Sequence, residues 1–179
     1  MTAPAVTPTL TTARLVIGAH SADDFEAYQA MWADEAVYRY IGGAPSPRDE
    51  AWSRLLRLKG LWPTLGYGFF AIRDRATGAF LGEAGIMEMR REVSPRFEGT
   101  PEAGWGLTPA AHGKGLAHEA MTAILAWADE ALAPPRLVAM IHPDNAPSLA
   151  LAGRLGFRRF ADTAYKARPV VLLERLRPG

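Results

Sequence analysis

One stretch of this sequence, from Glu102 to Ala120, constrains the fold of the chain more than any other. It is typical of a strand, a tight loop with glycines at positions 113 and 115, and the first turn of a helix. Apolar residues recur at helical spacing after the loop, which predicts a helix anchored to a sheet. These residues are Leu116, Ala117, Ala120, Met121, Ile124, Leu125, Ala128 and Leu132.

The loop is suited to hold a phosphate group. The start of a helix leaves about four backbone N–H groups without intrahelical partners and carries roughly half a positive charge. Gly113 and Gly115 would let the backbone approach an anion closely, and Lys114 adds a positive charge between them. An ordinary strand-to-helix turn can have the same Gly-x-Gly pattern, so the spacing alone leaves both interpretations open.

Two known phosphate loops can be compared with this one. A Walker loop requires Ser or Thr after its Gly-Lys pair, whereas Lys114 is followed by Gly115, so that class is excluded. A dinucleotide fingerprint requires Gly or Ala where His118 stands, and it opens a βαβ unit, whereas the segments before this loop are typical of hairpins. A dinucleotide-binding oxidoreductase is therefore a weaker alternative that stays open.

Charge balance and cysteine usage exclude several classes of protein. The 179 residues fit one domain, 1–179, in which residues 1–12 are predicted to form a flexible arm. The net charge of +1 predicts neither a nucleic-acid partner nor a membrane partner. Because the chain has no cysteine, it has no disulfide, thiolate metal site or acyl-cysteine intermediate. It shows neither a signal peptide nor a membrane span, so a cytoplasmic location is expected.

Caps and apolar periodicity predict the helices and strands. Ser21 and Asp24 form a capping box, and Ser46 before Pro47 marks the start of a helix that ends near Gly60. A polar loop is predicted at 92–101. The predicted helices cover 22–34, 47–60, 116–132 and 146–155, and the predicted strands cover 14–17, 67–73, 79–89, 103–107, 137–141, 158–165 and 170–175.

Three segments carry a resemblance to a known family. They are Thr12–Ile17, Glu102–Ala120, and Asn145–Ser148 followed by Leu155–Phe157. Over about residues 10–176 the chain resembles the GNAT N-acetyltransferase superfamily, and within it the branch of ribosomal-protein N-terminal (alanine/serine) acetyltransferases. The resemblance implies an α+β fold with a central mixed, mostly antiparallel sheet of about six or seven strands flanked by helices, in which two central parallel strands splay apart.

The resemblance also implies where acetyl-CoA would bind. Its pantetheine arm would lie between the strands 103–107 and 137–141 and pair with the backbone of Leu107 and Thr108. Glycines at 104 and 106 fit a close approach of a ligand. Where this loop has His112, the family has Gln or Arg, and a neutral imidazole would add less charge. The pyrophosphate would sit over His112, Gly113, Lys114, Gly115, Leu116 and Ala117.

Asn145 and Ser148 have a structural and a functional interpretation. Asn is a favoured helix N-cap, and Ser148 stands at the third helical position after it. The resemblance implies that Asn145 also binds the pantetheine arm and that Ser148 protonates the departing thiolate. Many family members place a tyrosine acid where this chain has Ala152, which leaves Ser148 or water as the proton source.

Glu102 is the candidate general base, although a carboxylate at a strand end is often only solvated. Glu83 is the alternative base, because it lies within an apolar run and a buried carboxylate would have a raised pKa and require a partner. Arg90 or Arg91 could supply that partner.

The expected activity is acetyl-CoA-dependent N-acetylation of a primary amine by direct attack in a ternary complex. The acceptor would be a protein N-terminus or a small molecule, and the enzyme a monomer or homodimer. A non-catalytic acyl-CoA sensor is the second alternative. No metal is expected, because the histidines show no metal-ligand spacing. The aromatic residues expected mainly in the core are Trp32, Tyr38, Trp52, Trp62 and Tyr67.

Overall fold

Residues 6–93, 97 and 99–177 are described by the computed structural model of this protein. Within them, one mixed sheet carries the strands β1 (Leu10–Thr11), β2 (Leu15–Gly18), β3 (Phe69–Asp74), β4 (Phe80–Met87), β5 (Glu102–Leu107), β6 (Arg136–Ile141), β7 (Arg158–Tyr165) and β8 (Arg168–Leu176). The α-helices are α1 (Phe25–Ala33), α2 (Glu35–Ile41), α3 (Arg48–Leu65), α4 (Leu116–Ala131) and α5 (Ala146–Arg154). The predicted fold class is confirmed, with eight strands among the described residues instead of six or seven.

The sheet splits between its two parallel strands. Its order is β1-β2-β3-β4-β5-β6-β8-β7, and the neighbouring pairs other than β5–β6 are antiparallel. β5 and β6 pair in register only at Glu102 and Val138, next to a hydrogen bond from the Val138 N–H to the Pro101 carbonyl of 3.0 Å. Beyond this vertex they no longer form a ladder, which leaves the inner edge of each strand open.

Helices cover both faces of the sheet. α4 buries its apolar stripe against one face, as its sequence pattern predicts, and α5 joins the same core cluster. α1 and α3 form a second cluster with Phe69 and Met87, whose strand neighbours Phe70 and Ile86 belong to the first cluster. Because successive strand residues point to opposite faces, these two clusters lie on opposite sides of β3 and β4.

Two helices differ from the prediction. After α1 the chain leaves helical geometry only at Asp34, whose backbone is extended. The Asp34 carboxylate accepts a hydrogen bond from the Ala36 N–H at 2.9 Å and so caps α2, a helix that the sequence analysis missed. α3 has no side-chain cap from Ser46, and it continues past Gly60 to a left-handed Gly66. The reason is packing, since the extra turn buries Leu61 and Trp62.

The remaining predictions concern the N-terminal arm, the polar loop and the aromatic residues. Residues 1–5 of the predicted arm lie outside the described residues, as do 94–96 and 98 of the polar loop. Within the arm, Leu10–Thr11 is not loose but pairs with β2. Of the aromatic residues, Trp62 is buried as expected, whereas Trp52 is 38% exposed and packs edge-on against Phe25. None of the described helices is long and apolar enough to cross a membrane.

Candidate active site

The predicted loop is a left-handed turn that opens α4. Gly115 is the N-cap of α4 with φ of 73°, and Gly113 has φ of 72°. No side chain caps this helix start, which lies within the described residues. The N–H groups of the first turn therefore keep their hydrogen-bonding capacity for another partner, as an anion site requires.

The loop is braced by the N-terminal segment before β2. Arg14 donates from Nη1 to the Lys114 carbonyl at 2.9 Å and from Nε to Glu119 at 2.6 Å. Thr12 donates its hydroxyl to the same carboxylate at 2.6 Å. Burial alone would raise the pKa of Glu119, but the hydrogen bonds from Thr12 and Arg14 lower it, so Glu119 holds the brace as a carboxylate. Sequence analysis did not identify this contact.

The His112 side chain makes a contact that the sequence analysis did not predict. Its Nε2 lies 2.8 Å from the Leu107 carbonyl, and because a carbonyl only accepts, Nε2 carries the proton. In this structure His112 therefore ties the loop to the end of β5.

The backbone groups of Thr108 have hydrogen-bond partners within the protein. Its N–H donates to the Leu81 carbonyl at 2.8 Å, and its carbonyl accepts from the Ala111 N–H at 2.9 Å, so both groups are already bonded. Backbone groups alternate sides along a strand, which directs the Leu107 N–H toward the open edge of β5. Of the two predicted backbone partners for a pantetheine arm, Leu107 is therefore the one whose N–H faces the open edge.

A cavity of about 490 Å³ lies beside the split in the sheet. Its volume falls in the range typical of small-molecule sites. Glu83, Glu102, Asn145 and Ser148 line it together, whereas residues 112–117 do not. A second cavity, of about 540 Å³, lies against the loop and is lined partly by Arg14, Arg75, Ala111, Lys114 and Leu116. Other residues lining the first cavity include Trp32, Tyr40, Arg54, Arg57, Phe69, Arg91, Trp105, His142, Tyr165, Lys166 and Arg168.

Glycines in β5 keep the inner wall of the first cavity flat. A Cβ at Gly104 would lie 2.9 Å from Cζ of Phe69, and a Cβ at Gly106 would touch the Trp32 ring at 3.7 Å. At position 104 the space beside the backbone is therefore occupied by an aromatic ring packed across the strand, which the sequence analysis did not predict.

Glu102 stands at the vertex of the split and is 5% exposed. Its Oε2 lies 2.6 Å from Nε of Arg91, which also donates to the Tyr165 hydroxyl at 3.1 Å. Burial raises the pKa of Glu102, and Arg91 opposes this shift in part. A carboxylate with a raised pKa in a cavity has the properties that a general base requires.

Glu83 is fully buried and is held by partners that the sequence analysis did not name. Arg54 on α3 donates to Oε1 at 3.1 Å, and His20 Nε2 lies 3.6 Å from Oε2. Burial lowers the pKa of His20, while Glu83 opposes that shift. The predicted partners were wrong: Arg91 pairs with Glu102, and Arg90 with Glu88. Arg90 and Arg91 both lie after the end of β4, too far along the chain for their side chains to reach back to Glu83.

Asn145 and Ser148 open α5 at the rim of the cavity. Asn145 Oδ1 accepts the Ser148 N–H at 3.2 Å, so the N-cap interpretation is confirmed. Ser148 Oγ accepts a hydrogen bond from Trp105 Nε1 at 3.2 Å. Its own hydroxyl hydrogen remains available to donate. Ala152, at the position of the absent tyrosine, is fully buried.

Several cavity residues were not singled out from the sequence. Trp105 alternates with glycines in β5, and Arg54 and Arg57 lie one turn apart on α3, a spacing that places both on one helix face. That spacing could have identified the two arginines from the sequence. No sequence pattern near Arg168, at the start of β8, indicates that it lines the cavity. Among the described residues, no group of three or more His, Cys, Asp or Glu side chains could hold a metal ion.

Comparisons with known proteins agree with this geometry. A model of the acetyltransferase (GNAT) domain matches residues 14–158. The uncharacterised N-acetyltransferase p20 of Bacillus licheniformis is 26% identical over 152 residues, which cover 84% of this chain and 83% of that protein. A solved structure named as a GNAT-family acetyltransferase from Bordetella pertussis is 40% identical, with a TM-score of 0.84, and the match covers 94% of this chain and 99% of that one.

A more distant structure shows the fold alone. A protein from Vibrio cholerae named as a ribosomal-protein-serine acetyltransferase is 21% identical with a TM-score of 0.74, and the match covers 94% of this chain and 97% of that one. Since the domain model spans most of the sequence and the Bordetella structure matches nearly end to end, this chain belongs to the GNAT family of N-acetyltransferases.

Proposed function

We propose that this protein transfers the acetyl group of acetyl-CoA to a primary amine by direct attack within a ternary complex. The acceptor is a protein N-terminal α-amine or the amine of a small molecule. The observation that carries this proposal is the buried Glu102 at the vertex of the split sheet, in one cavity with Ser148.

The cosubstrate fits two features of the structure. The uncapped N–H groups after Gly115, with Lys114 beside them, suit its pyrophosphate, and the open edge of β5 at Leu107 suits the amides of its pantetheine arm. The side-chain oxygen of Asn145 accepts the N-cap hydrogen bond of α5. The side-chain N–H₂ of Asn145 is therefore the group that can donate to the pantetheine arm. Acetyl-CoA supplies a thioester, whose carbon–sulfur bond breaks as the amine nitrogen bonds to the acetyl carbon.

Glu102 accepts the proton that the amine must lose. Only a neutral amine can attack, and an α-amine with a pKa near 7.7 to 8.0 is mostly protonated at pH 7. A carboxylate of ordinary pKa is a weak base for this task, but burial raises the pKa of Glu102 and improves the match. Arg91 remains next to Glu102 and limits that shift.

Ser148 donates the proton that the departing sulfur takes up. Its hydroxyl hydrogen is available because its oxygen is the acceptor in the bond from Trp105. That N–H also stabilises the negative charge that develops on Oγ as the proton moves away, and Oγ regains a proton from the amine nitrogen, which loses its second proton as the amide forms.

Release of free CoA on adding amines tests this function. The protein and acetyl-CoA are mixed with a peptide that has a free N-terminus, and thiol release is followed in the presence and absence of the peptide. We expect release that depends on both peptide and protein. A sensor would bind acetyl-CoA and release nothing, and that outcome would overturn the proposal.

Thermal unfolding with added ligands tests the oxidoreductase alternative. A ligand at 100 times its dissociation constant stabilises the folded state by about 2.7 kcal/mol. We expect CoA and acetyl-CoA to raise the melting temperature and NAD(P) to leave it unchanged. Stabilisation by NAD(P) alone would instead support the dinucleotide-binding alternative.

A further inference from the structure

The cavity around Glu102 carries more positive charge than its carboxylates balance. Glu83 and Glu102 are the acidic side chains among its described lining residues. Each is paired with an arginine, Glu83 with Arg54 at 3.1 Å and Glu102 with Arg91 at 2.6 Å. Since these two pairs are neutral overall, every further cation gives the cavity a net positive charge.

Three further cationic side chains line the same cavity: Arg57 on α3, and Lys166 and Arg168 around the turn between β7 and β8. Within the described part of the chain, none of them forms an ion pair with a carboxylate. The Lys166 ammonium lies 5.7 Å from the centre of the Tyr165 ring, and Arg57 is exposed at its position on α3. We call Arg57, Lys166 and Arg168 the cationic rim.

Arg168 is held in place without being neutralised. Its Nη2 donates to the Arg39 carbonyl at 2.7 Å, which uses one of five guanidinium N–H groups. The guanidinium rests against Gly43, where φ is 81° and a Cβ would overlap it. A glycine in the α2–α3 loop therefore makes room for this charge, and the remaining donors stay available to an anion.

The cationic rim lies apart from the loop that fits the pyrophosphate. Residues 112–117 do not line this cavity, and the cavity that Lys114 lines shares no residue with the rim. The rim instead comes from α3 and the β7–β8 turn. An anion held there would belong to the acceptor and not to the cosubstrate.

We propose that the acceptor carries a carboxylate near its amine, which the cationic rim binds while the amine reaches Glu102. This inference rests on the proposed function and narrows its substrate class. Charge-assisted hydrogen bonds from arginine to a carboxylate are among the stronger polar contacts, and an arginine fork can bind both oxygens. A polyamine or an aminoglycoside would instead bring positive charge against three unneutralised cations.

Matched acceptors that differ only in charge test the inference. The panel holds the dipeptide amides Ala-Glu, Ala-Gln and Ala-Lys, with alanine and alaninamide to distinguish a free α-carboxylate from an acidic side chain, and spermidine as a polycation. We expect kcat/KM to fall about tenfold or more from the acidic to the basic acceptor, and the difference to shrink at high salt. Equal or better activity with Ala-Lys or spermidine would overturn the inference.

Substitutions in the rim connect the preference to these residues. In Arg57→Gln and Arg168→Gln, we expect the ratio of kcat/KM between Ala-Glu and Ala-Gln to fall toward one, mainly through a higher KM for the acidic acceptor. The control is Arg154→Gln, which removes the same charge from an exposed position outside the cavity and should keep the ratio. A ratio unchanged in both rim variants would contradict the inference.

Two further results distinguish the possible failures. If the rim variants lose affinity for acetyl-CoA instead of the acidic acceptor, the cations serve the cosubstrate and this inference fails. If no amine of any charge releases CoA from the unaltered protein, the proposed function itself fails. If all amines react with equal efficiency, the function stands and only the charge preference is overturned.

Discussion

Trp105 Nε1 donates to Ser148 Oγ across 3.2 Å and thereby joins β5 to the first turn of α5. The two residues stand 43 positions apart in the chain, Trp105 on one of the two splayed strands and Ser148 on the helix that follows the other. The bond fixes the position of the Ser148 oxygen. Because the indole N–H is the donor, the Ser148 hydroxyl hydrogen is not used in this bond.

We expect Ser148→Ala to lower kcat more than it weakens acetyl-CoA binding, because the hydroxyl acts on the leaving group. Trp105→Phe keeps an aromatic ring and removes the donor, so its kcat should fall less than that of Ser148→Ala. Steady-state kinetics with isothermal titration of acetyl-CoA give both quantities. Unchanged kcat at saturation, with equal losses of affinity, would limit both residues to binding or capping.

We expect Glu102→Gln to lower the rate at neutral pH by something on the order of 10² to 10⁴, with partial recovery at higher pH, where the free amine is already deprotonated. The substitution keeps the shape of the side chain and removes the base. Rates from pH 6.5 to 9.5 measure the effect, with circular dichroism to verify folding. A deficit that stays constant to pH 9.5 would move the role away from Glu102.

Two comparison variants sharpen this result. Glu83→Gln removes the other buried carboxylate of the cavity, and a larger loss there than in Glu102→Gln would assign the base to Glu83. Arg91→Gln removes the cation that opposes the raised pKa of Glu102. The base would then hold its proton to higher pH, so the acidic limb of the kcat/KM profile should move to higher pH.

We expect Gly115→Val to weaken acetyl-CoA binding about tenfold or more, and Lys114→Ala only a few-fold. A β-branched residue does not fit φ of 73° at the N-cap, and it would displace the N–H groups that follow. Titration with acetyl-CoA and CoA measures both variants. Equal affinities in two folded variants would reduce the loop to an ordinary strand-to-helix turn.

The unfolding free energy should fall as pH drops below about 6.5, the ordinary pKa of histidine, in part because of His20. Burial is the main cause of its lowered pKa, so the folded state binds a proton less tightly than the unfolded state does. The stability from neutral His20 is thus complete above the pKa of the unfolded chain and lost as pH falls toward the lower pKa of the folded state. One such group changes the slope by at most about 1.4 kcal/mol per pH unit.

Urea denaturation at pH 7.5 and 5.5 measures that slope. His20→Gln should show a smaller decrease between the two pH values than the unaltered protein. His118→Gln, at an exposed position on α4, is the matched control. If His20→Gln and the unaltered protein lose the same stability, His20 is not a source of the acid sensitivity.

Features with a local cause could be predicted from the sequence. The capping box of Ser21 and Asp24 depends on neighbouring residues, and so do the cap at Asn145 and the turn at Gly115. The apolar stripe of α4 predicted its length to within one residue. The split between β5 and β6 was predicted from the family resemblance, because no periodic pattern in the sequence indicates it.

Features that depend on residues far apart in the sequence could not be predicted. Glu83 required a partner, but Arg54 reaches it only because α3 packs on the sheet, and nothing in the order of residues separates Arg54 from Arg90 or Arg91. The contact of His112 was missed for the same reason: the Leu107 carbonyl that its ring meets becomes available only once the turn is formed. α3 ran past Gly60 because burial of the next turn outweighs a weak helix breaker.

The brace from Arg14 to Glu119 makes the timing of synthesis relevant to this enzyme. The two residues are 105 positions apart, so the ribosome adds the intervening chain for roughly 5 to 20 seconds after Arg14 is made, at about 5–20 residues per second. Throughout that interval the side chains of Arg14 and Thr12 lack the Glu119 carboxylate that they bind in the folded protein. A product truncated before α4 contains Arg14 and Thr12 but lacks Glu119, so the Lys114 loop cannot be braced until synthesis has passed the first turn of α4.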